Sequence, residues 1–221
     1  MDAVIFAAGK GSRLAPLTDA TPKPLLGVHG SPILGRTLDA LPPQIERVFV
    51  IVEHLASQVE AYCAGRPDAG RIVCLRQIPE RGTFAALKTA EPHLGERFLV
   101  LGGDDLVSAE DLAKLASAPR GFGVCRASRG YFHHVEVAED GTVLGFRQPT
   151  EAERQAGILI ATGGYALDRG VFSLSPVAIA GGELGLPQTL RAAAREHPLC
   201  AVELPSWRPI NTPEDLAAAN A

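Results

Sequence analysis

AVIFAAGKGSRLAPLTDATPKPLL, residues 3–26, runs an apolar strand into a glycine-containing turn, then an arginine, then a lysine set between two prolines. Glycines at 9 and 11 let backbone N–H groups close on phosphate oxygens, because a residue without Cβ tolerates the positive φ angles of an anion-binding nest. Arg13 and Lys23 add full positive charges beside it. Pro22 and Pro24 push Thr21 and Lys23 towards extended backbone, so the lysine is held in place before a ligand arrives. This is equipment for gripping the phosphates of a nucleoside triphosphate.

Two better-known phosphate motifs fail at countable positions. A Walker A loop would need glycine at position 4 and Ser or Thr at 11, where Val4 and Gly11 stand. A dinucleotide fingerprint GxGxxG opening at Gly9 ends on Leu14 and loses the glycine that lets helix pack on strand.

Downstream of this stretch, apolar strands alternate with helical segments: 3–8, 47–52, 71–75 and 98–103, separated by 33–41, 55–64 and 83–91. The alternation predicts an α/β fold with a parallel sheet, right-handed crossovers and helices on both faces. Ligands of such sheets collect beyond the carboxyl ends of the strands, which is where the glycine turn and Asp104 should both emerge. After about residue 120 shorter strands are expected, 121–127, a hairpin through 133–148 turning at Asp140-Gly141, and 158–167. A helix over 187–196, a strand over 200–204 and a final helix follow. Thr212 as N-cap, Pro213 and first-turn acids favour that last helix.

At 221 residues and 46% hydrophobic content the chain suits one domain, with residues 1–120 as a nucleotide-binding half and 121–221 as an acceptor-binding half. A net charge of −4 and a pI near 5.9 provide no basic field for nucleic acid. The apolar runs are too short to cross a bilayer, and no charged leader precedes the first strand, so a cytoplasmic protein is expected. Cys63, Cys74, Cys125 and Cys200 lack CxxC spacing and read as reduced, mostly buried thiols. His133 and His134, adjacent on an expected strand, point to opposite faces and cannot share a metal.

The motifs AAGKGSRL, TPKPLL, Gln77 with ERGTFAAL, LGGDD, ATGGYAL and INTPEDLAAAN together resemble the sugar-1-phosphate nucleotidyltransferases. The resemblance covers most of the chain and implies a Rossmann-like GT-A type three-layer α/β sandwich with a mostly parallel central sheet. It implies transfer of a nucleotidyl group from a nucleoside triphosphate to a sugar 1-phosphate, with Mg²⁺ as cofactor, and a homo-oligomer is compatible with it. By this resemblance Ala7, Ala8, Gly9 and Gly11 line the nucleotide, Arg13 meets its β- and γ-phosphates, and Lys23 meets the α-phosphate or the sugar phosphate. Gln77, Gly82 and Thr83 are similar to the base-reading set, Asp104 and Asn211 to the metal pair, and Gly164 and Glu183 to acceptor contacts.

Departures lie on the acceptor side. Where many relatives carry Glu-Lys-Pro, Arg147-Gln148-Pro149 stands, and a sugar-contacting Asn falls on Ala161. Pro209 replaces an Asp of the relatives' W-x-D-I-G-T-P. The 147–149 segment permits a non-sugar phosphate acceptor; a homologue that binds nucleotide without turnover is the other alternative, which loss of metal ligands would favour, although Arg13, Lys23 and Asp104 are all present. By the resemblance Ala8 and Gln77 favour a pyrimidine base.

Overall fold

Side chains alternate along the strands, and the alternation sorts them into two cores. Ala3, Ile5 and Ala7 enter one with Val48, Val50, Val52, Leu99 and Leu101; Val4, Phe49, Ile51, Phe98 and Val100 enter the other. Successive strand side chains point to opposite faces, so a run that is apolar at every position is a strand covered on both sides. Each fully buried Leu in these cores, such as Leu99 or Leu112, contributes about 2 kcal/mol by leaving water.

The computed structural model describes residues 1–127 and 133–221. In chain order it contains β1 (Asp2–Ala7), α1 (Ile33–Asp39), β2 (Arg47–Val52), α2 (Ala56–Ala64), β3 (Ile72–Arg76), α3 (Thr83–Ala90), β4 (Arg97–Gly102) and α4 (Ala109–Ser117). There follow β5 (Gly121–Ala127), the hairpin β6 (His134–Val137) and β7 (Val143–Arg147), then α5 (Glu151–Ala156) and β8 (Ile158–Asp168). The chain ends with α6 (Leu186–Ala192), β9 (Cys200–Glu203) and α7 (Pro213–Asn220).

The main sheet has seven strands in the order β9-β5-β8-β4-β1-β2-β3. Every pairing is parallel except those that β8 makes on its two sides, with β4 and β5. Helices α1, α2 and α4 cover one face through Leu38, Val59 and Leu112, and α3 and α6 cover the other through Leu87 and Leu190. The expected three-layer α/β sandwich is thus observed.

Register delivers the site. Phe6 pairs with Gly102, Ala7 with Val52, and Val52 with Arg76, so the segments after β1, β4, β2 and β3 emerge side by side at one edge. The hairpin turns at Asp140-Gly141, where the Thr142 amide donates to Asp140 Oδ1 (2.9 Å). Its turn lies beside Cys200, at the opposite end of the sheet, and Arg147 pairs with His134 at the far end of the hairpin. Arg147 therefore lies at the same carboxyl edge as Asp104. His133 sits just before the strand instead of on it, so its orientation relative to His134 is not fixed by strand alternation. Among the four thiols only Cys63 is buried; Cys74 and Cys125 are half-buried, and Cys200 is exposed where it opens the edge strand β9.

Asp111 ties α4 to the segment that returns to the site. It is 2% exposed and accepts from the Ser206 amide (2.8 Å) and hydroxyl (2.6 Å). Burial pushes its carboxyl up, but the Ser206 donors and Lys114 outweigh that and hold it below the ordinary value. A depressed carboxyl contributes stability that is complete above the unfolded pKa of about 3.9 and is lost as pH falls through the folded value. Asp111→Ala is expected to cost about 1–3 kcal/mol at pH 7 by leaving the Ser206 amide unpaired. Urea unfolding at stepped pH should show that gap closing below about pH 4; a pH-independent gap would contradict it.

Candidate functional site

Lys23 is 6% exposed, an expensive place for an ammonium unless oxygens surround it. Its Nζ donates to Asp104 Oδ2 (2.6 Å) and to Asn211 Oδ1 (3.1 Å). Arg13 Nη2 reaches the same Asn211 oxygen (3.0 Å). Four residues from three distant parts of the chain thus meet at one point. Two hard oxygen donors already share one cation there, and this is the donor chemistry that a small divalent metal takes.

The glycine turn packs onto that lysine. Gly11 has φ +65, and a Cβ on it would lie 3.0 Å from Lys23 Cβ and 3.0 Å from Thr18 Cγ2. The Thr18 hydroxyl and the Leu14 amide both donate to Gly11 O, at 3.0 and 2.8 Å. Leu14 then buries fully in a small core with Leu26, Ile33 and Ile210, which anchors Arg13 beside Asn211. Gly9 differs from the expectation: it does not take a left-handed φ, and its missing side chain leaves open space. Ala7 is buried in the sheet, so only its backbone can face a ligand, whereas Ala8 is half-buried.

Glycines also open the carboxylate side. A Cβ on Gly102 would meet Asp104 Oδ1 at 2.8 Å, and one on Gly103 would meet Phe6 O at 2.8 Å. The pair Gly102-Gly103 is thus what lets two carboxylates turn out of β4. They part as neighbouring side chains do: Asp104 meets Lys23, while Asp105 lines a small interior cavity with Thr37, Thr162 and Trp207. Burial, then the Asp104 charge, push Asp105 up to about 8, against the pull of the Trp207 indole and Lys23. The Trp207 Nε1 nevertheless makes no hydrogen bond of good geometry. A carboxyl held towards its neutral form is the poorer cation ligand of the two.

Asn211 is oriented by the cap of α7. Asp215 Oδ2 accepts the amides of Asn211 (2.8 Å) and Thr212 (2.9 Å), and Thr212 Oγ1 accepts the Asp215 amide (3.2 Å). The Ile210 amide reaches Asp104 O (3.3 Å), and Pro209 pairs with Asp105 in a short ribbon. Pro209 thus stands in the ribbon that carries Asn211 to Asp104.

Along the edge, the Gln77 side chain donates to Glu80 O (3.0 Å) and closes the turn that precedes Gly82. Gly82 has φ +100 and caps α3, and exposed Thr83 opens that helix. Glu183 is half-buried beside them in the segment 177–185. Gly164 is buried against Leu115 and Leu101, whereas neighbouring Gly163 takes φ +77 at an irregularity of β8 and faces open space. Arg147 donates to Glu136 (3.0 Å) and Glu153 (2.8 Å), and those carboxylates absorb its charge. Among the described residues no group of three or more His, Cys, Asp or Glu could hold a metal, and no helix is long and apolar enough to cross a membrane.

Comparison with known proteins bears on the family and the fold. The bifunctional protein GlmU of Methanococcus maripaludis is 29% identical over 235 residues, covering 100% of this chain and 54% of the relative. A bifunctional IPC transferase and DIPP synthase of Archaeoglobus fulgidus is 28% identical, covering 100% of this chain and 43% of the relative. The chain thus spans about half the length of the curated relatives it matches. The solved inositol-1-phosphate CTP transferase of T. maritima superposes with a TM-score of 0.80 at 18% identity, covering 97% of this chain and 90% of that one. A putative glucose-1-phosphate thymidylyltransferase of Bacillus anthracis also gives 0.80, at 24% identity, covering 100% and 94%. Both show the same GT-A-like fold. A model of the MobA-like NTP transferase domain matches residues 3–203, and the chain belongs to that family.

Proposed function

We propose that the chain transfers a nucleotidyl group from a nucleoside triphosphate to a sugar 1-phosphate and releases pyrophosphate. The supporting observation is the meeting of buried Lys23 with Asp104, Asn211 and Arg13 beside the glycine turn. A lysine so buried contributes little net stability over an apolar residue, so its presence there favours a ligand role. Residues 1–120 would supply the nucleotide half and 121–221 the acceptor half of one working unit in the cytoplasm.

An oxygen of the acceptor phosphate attacks the α-phosphorus; the bond to the β-phosphate breaks and pyrophosphate leaves with the electron pair. No general base is needed, because a phosphate monoester with a second pKa of about 6 is largely ionised at neutral pH. The residues therefore act by positioning and by aiming cations at developing charge. Backbone amides of Ala7, Ala8, Gly9 and Gly11 hold the phosphates, Arg13 neutralises the leaving pyrophosphate, and Lys23 faces the α-phosphate. Gln77, Gly82 and Thr83 border the base, with a pyrimidine favoured, while Glu183 and the Gly163-Gly164 irregularity border the acceptor. Asp104 Oδ2 and Asn211 Oδ1 would hold Mg²⁺, whose charge would screen the phosphates when bound.

Arg147 supports a second reading. Three of its donors go to Glu136 and Glu153, so the residue at the relatives' sugar-contacting Glu cannot accept from sugar hydroxyls and has its charge paired within the protein. A non-sugar phosphate acceptor fits such an edge, and one fold neighbour carries inositol 1-phosphate in its name.

Pyrophosphate release should be measured with four nucleoside triphosphates against glucose 1-phosphate, N-acetylglucosamine 1-phosphate and inositol 1-phosphate, with Mg²⁺ or chelator. Release that needs both metal and a sugar phosphate is the expected result; release with inositol phosphate alone moves the assignment to the second reading. Lys23→Ala is expected to lose roughly 10²–10³ in turnover, the usual loss for one preorganised charge-stabilising donor. Near-normal turnover would remove Lys23 from the mechanism. Asp215→Ala should raise the Mg²⁺ concentration for half-maximal activity about tenfold by releasing Asn211, with kcat at saturating metal largely kept. An unchanged metal requirement would show that the cap does not orient Asn211.

A further inference from the structure

The base-side turn Arg81-Gly82-Thr83 and the acceptor-side segment 177–186 lie about a hundred residues apart in sequence, yet they meet backbone to backbone. The Leu184 amide donates to Arg81 O (2.7 Å). Gly82 makes that approach possible: a Cβ there would sit 2.4 Å from Leu184 O and 2.6 Å from Leu184 N. The Leu186 amide donates to Thr83 Oγ1 (2.8 Å). Leu186 is the first residue of α6, whose cap residue Gly185 has no side chain to offer it. The first residue of one helix therefore satisfies an orphan amide at the start of another.

The segment so held has little rigidity of its own. Its strands, Val177–Ala178 and Leu184–Gly185, are two residues each, and Gly181 and Gly182 at its tip both take positive φ. Thr189 braces it from behind, accepting the Val177 amide (2.9 Å) and donating to Gly185 O (2.7 Å). On the ligand side its anchors are Arg81 O and Thr83 Oγ1, directly after Glu183. Thr83 is exposed, and its hydroxyl has a hydrogen and a second lone pair besides the one that Leu186 uses.

We infer that Thr83 is a positioning residue: a nucleotide seated against the 81–83 turn fixes, through Thr83 and Leu186, the segment that carries Glu183, and so couples the two substrate subsites. The inference rests on the nucleotidyltransferase reading above and adds the residue that links its two halves. By linkage the coupling is reciprocal, so the acceptor tightens the nucleotide by the same factor as the nucleotide tightens the acceptor.

The test uses the full chain and the most active nucleotide–acceptor pair of the panel above, with the nucleotide replaced by its α,β-methylene analogue so that no transfer occurs. Calorimetry gives the nucleotide Kd with and without saturating acceptor in wild type, Thr83→Val and Thr83→Ser. In wild type the acceptor should tighten the nucleotide by about fivefold or more. Val, which keeps the shape and loses the oxygen, should bring that ratio close to one, and Ser should restore it. Hydrogen exchange at the Leu186 amide of wild type is the second measurement, needed if the Val variant does not fold, and nucleotide alone should slow it. A wild-type ratio near one, an undiminished ratio in Val, or a Leu186 amide indifferent to nucleotide overturns the inference. Independent binding of both ligands sinks it alone; if no panel pair reacts and neither ligand binds, the enzymatic reading falls with it.

Discussion

A buried ammonium has to be surrounded by oxygen, and here the ammonium and its two oxygen partners come from three segments that share nothing in sequence. Lys23 brings the TPKP stretch, Asp104 the turn after β4, and Asn211 the approach to the last helix. Removing Asp104 would leave the Lys23 ammonium uncompensated where it is buried, which costs more than an ordinary surface pair can supply. Many smaller features therefore serve this contact: Gly102 and Gly103 to turn the carboxylate out, Asp215 to aim the amide, and Leu14 to pin the arginine. The Asp111–Ser206 bonds belong with them, because they fasten the return segment that leads to Asn211.

What was legible beforehand follows from local physics. Strand and helix positions came from apolar periodicity, and the α7 start from Thr212 and Asp215, because caps and alternation are written in neighbouring residues. Strand direction is not. The reading of 158–167 as a strand was met, but its insertion between β4 and β5 as the one reversed strand depends on contacts across the whole sheet. Period-two alternation is the same in either direction, so nothing local could have indicated it.

The candidate site divides along the same line. Lys23 stood out because prolines flank it, and Asp104 because it follows the fourth strand at the carboxyl edge of the sheet. Gly163, with its left-handed backbone, was hidden behind Gly164 in a doublet whose members look alike without coordinates. The Gly82–Leu184 approach had a signal only on one side: an isolated glycine before a helix suggests a backbone constraint, but not its partner a hundred residues on. Arg147 shows the opposite failure. Read alone it is a donor facing substrate; its neighbours Glu136 and Glu153 cancel it, and the bond to Glu153 also fastens the capping box of α5.

The two sides of the candidate site are built to different tolerances, and this bears on how the proposed transfer could accommodate different acceptors. The glycine turn and Asp104 sit on the ends of parallel strands buried on both faces, where a displacement of one backbone segment disturbs its neighbours in register. Across the edge the hairpin still anchors Val135 and Val143 in the core, but segment 177–185 has only two-residue strands and α5 is a six-residue helix with no buried residue, tied by hydrogen bonds and surface ion pairs. Such elements can exchange side chains or shift by an ångström without unsettling the core. A charge swap like that at Arg147 is then absorbed locally, while Lys23, Asp104 and Asn211 keep their mutual geometry.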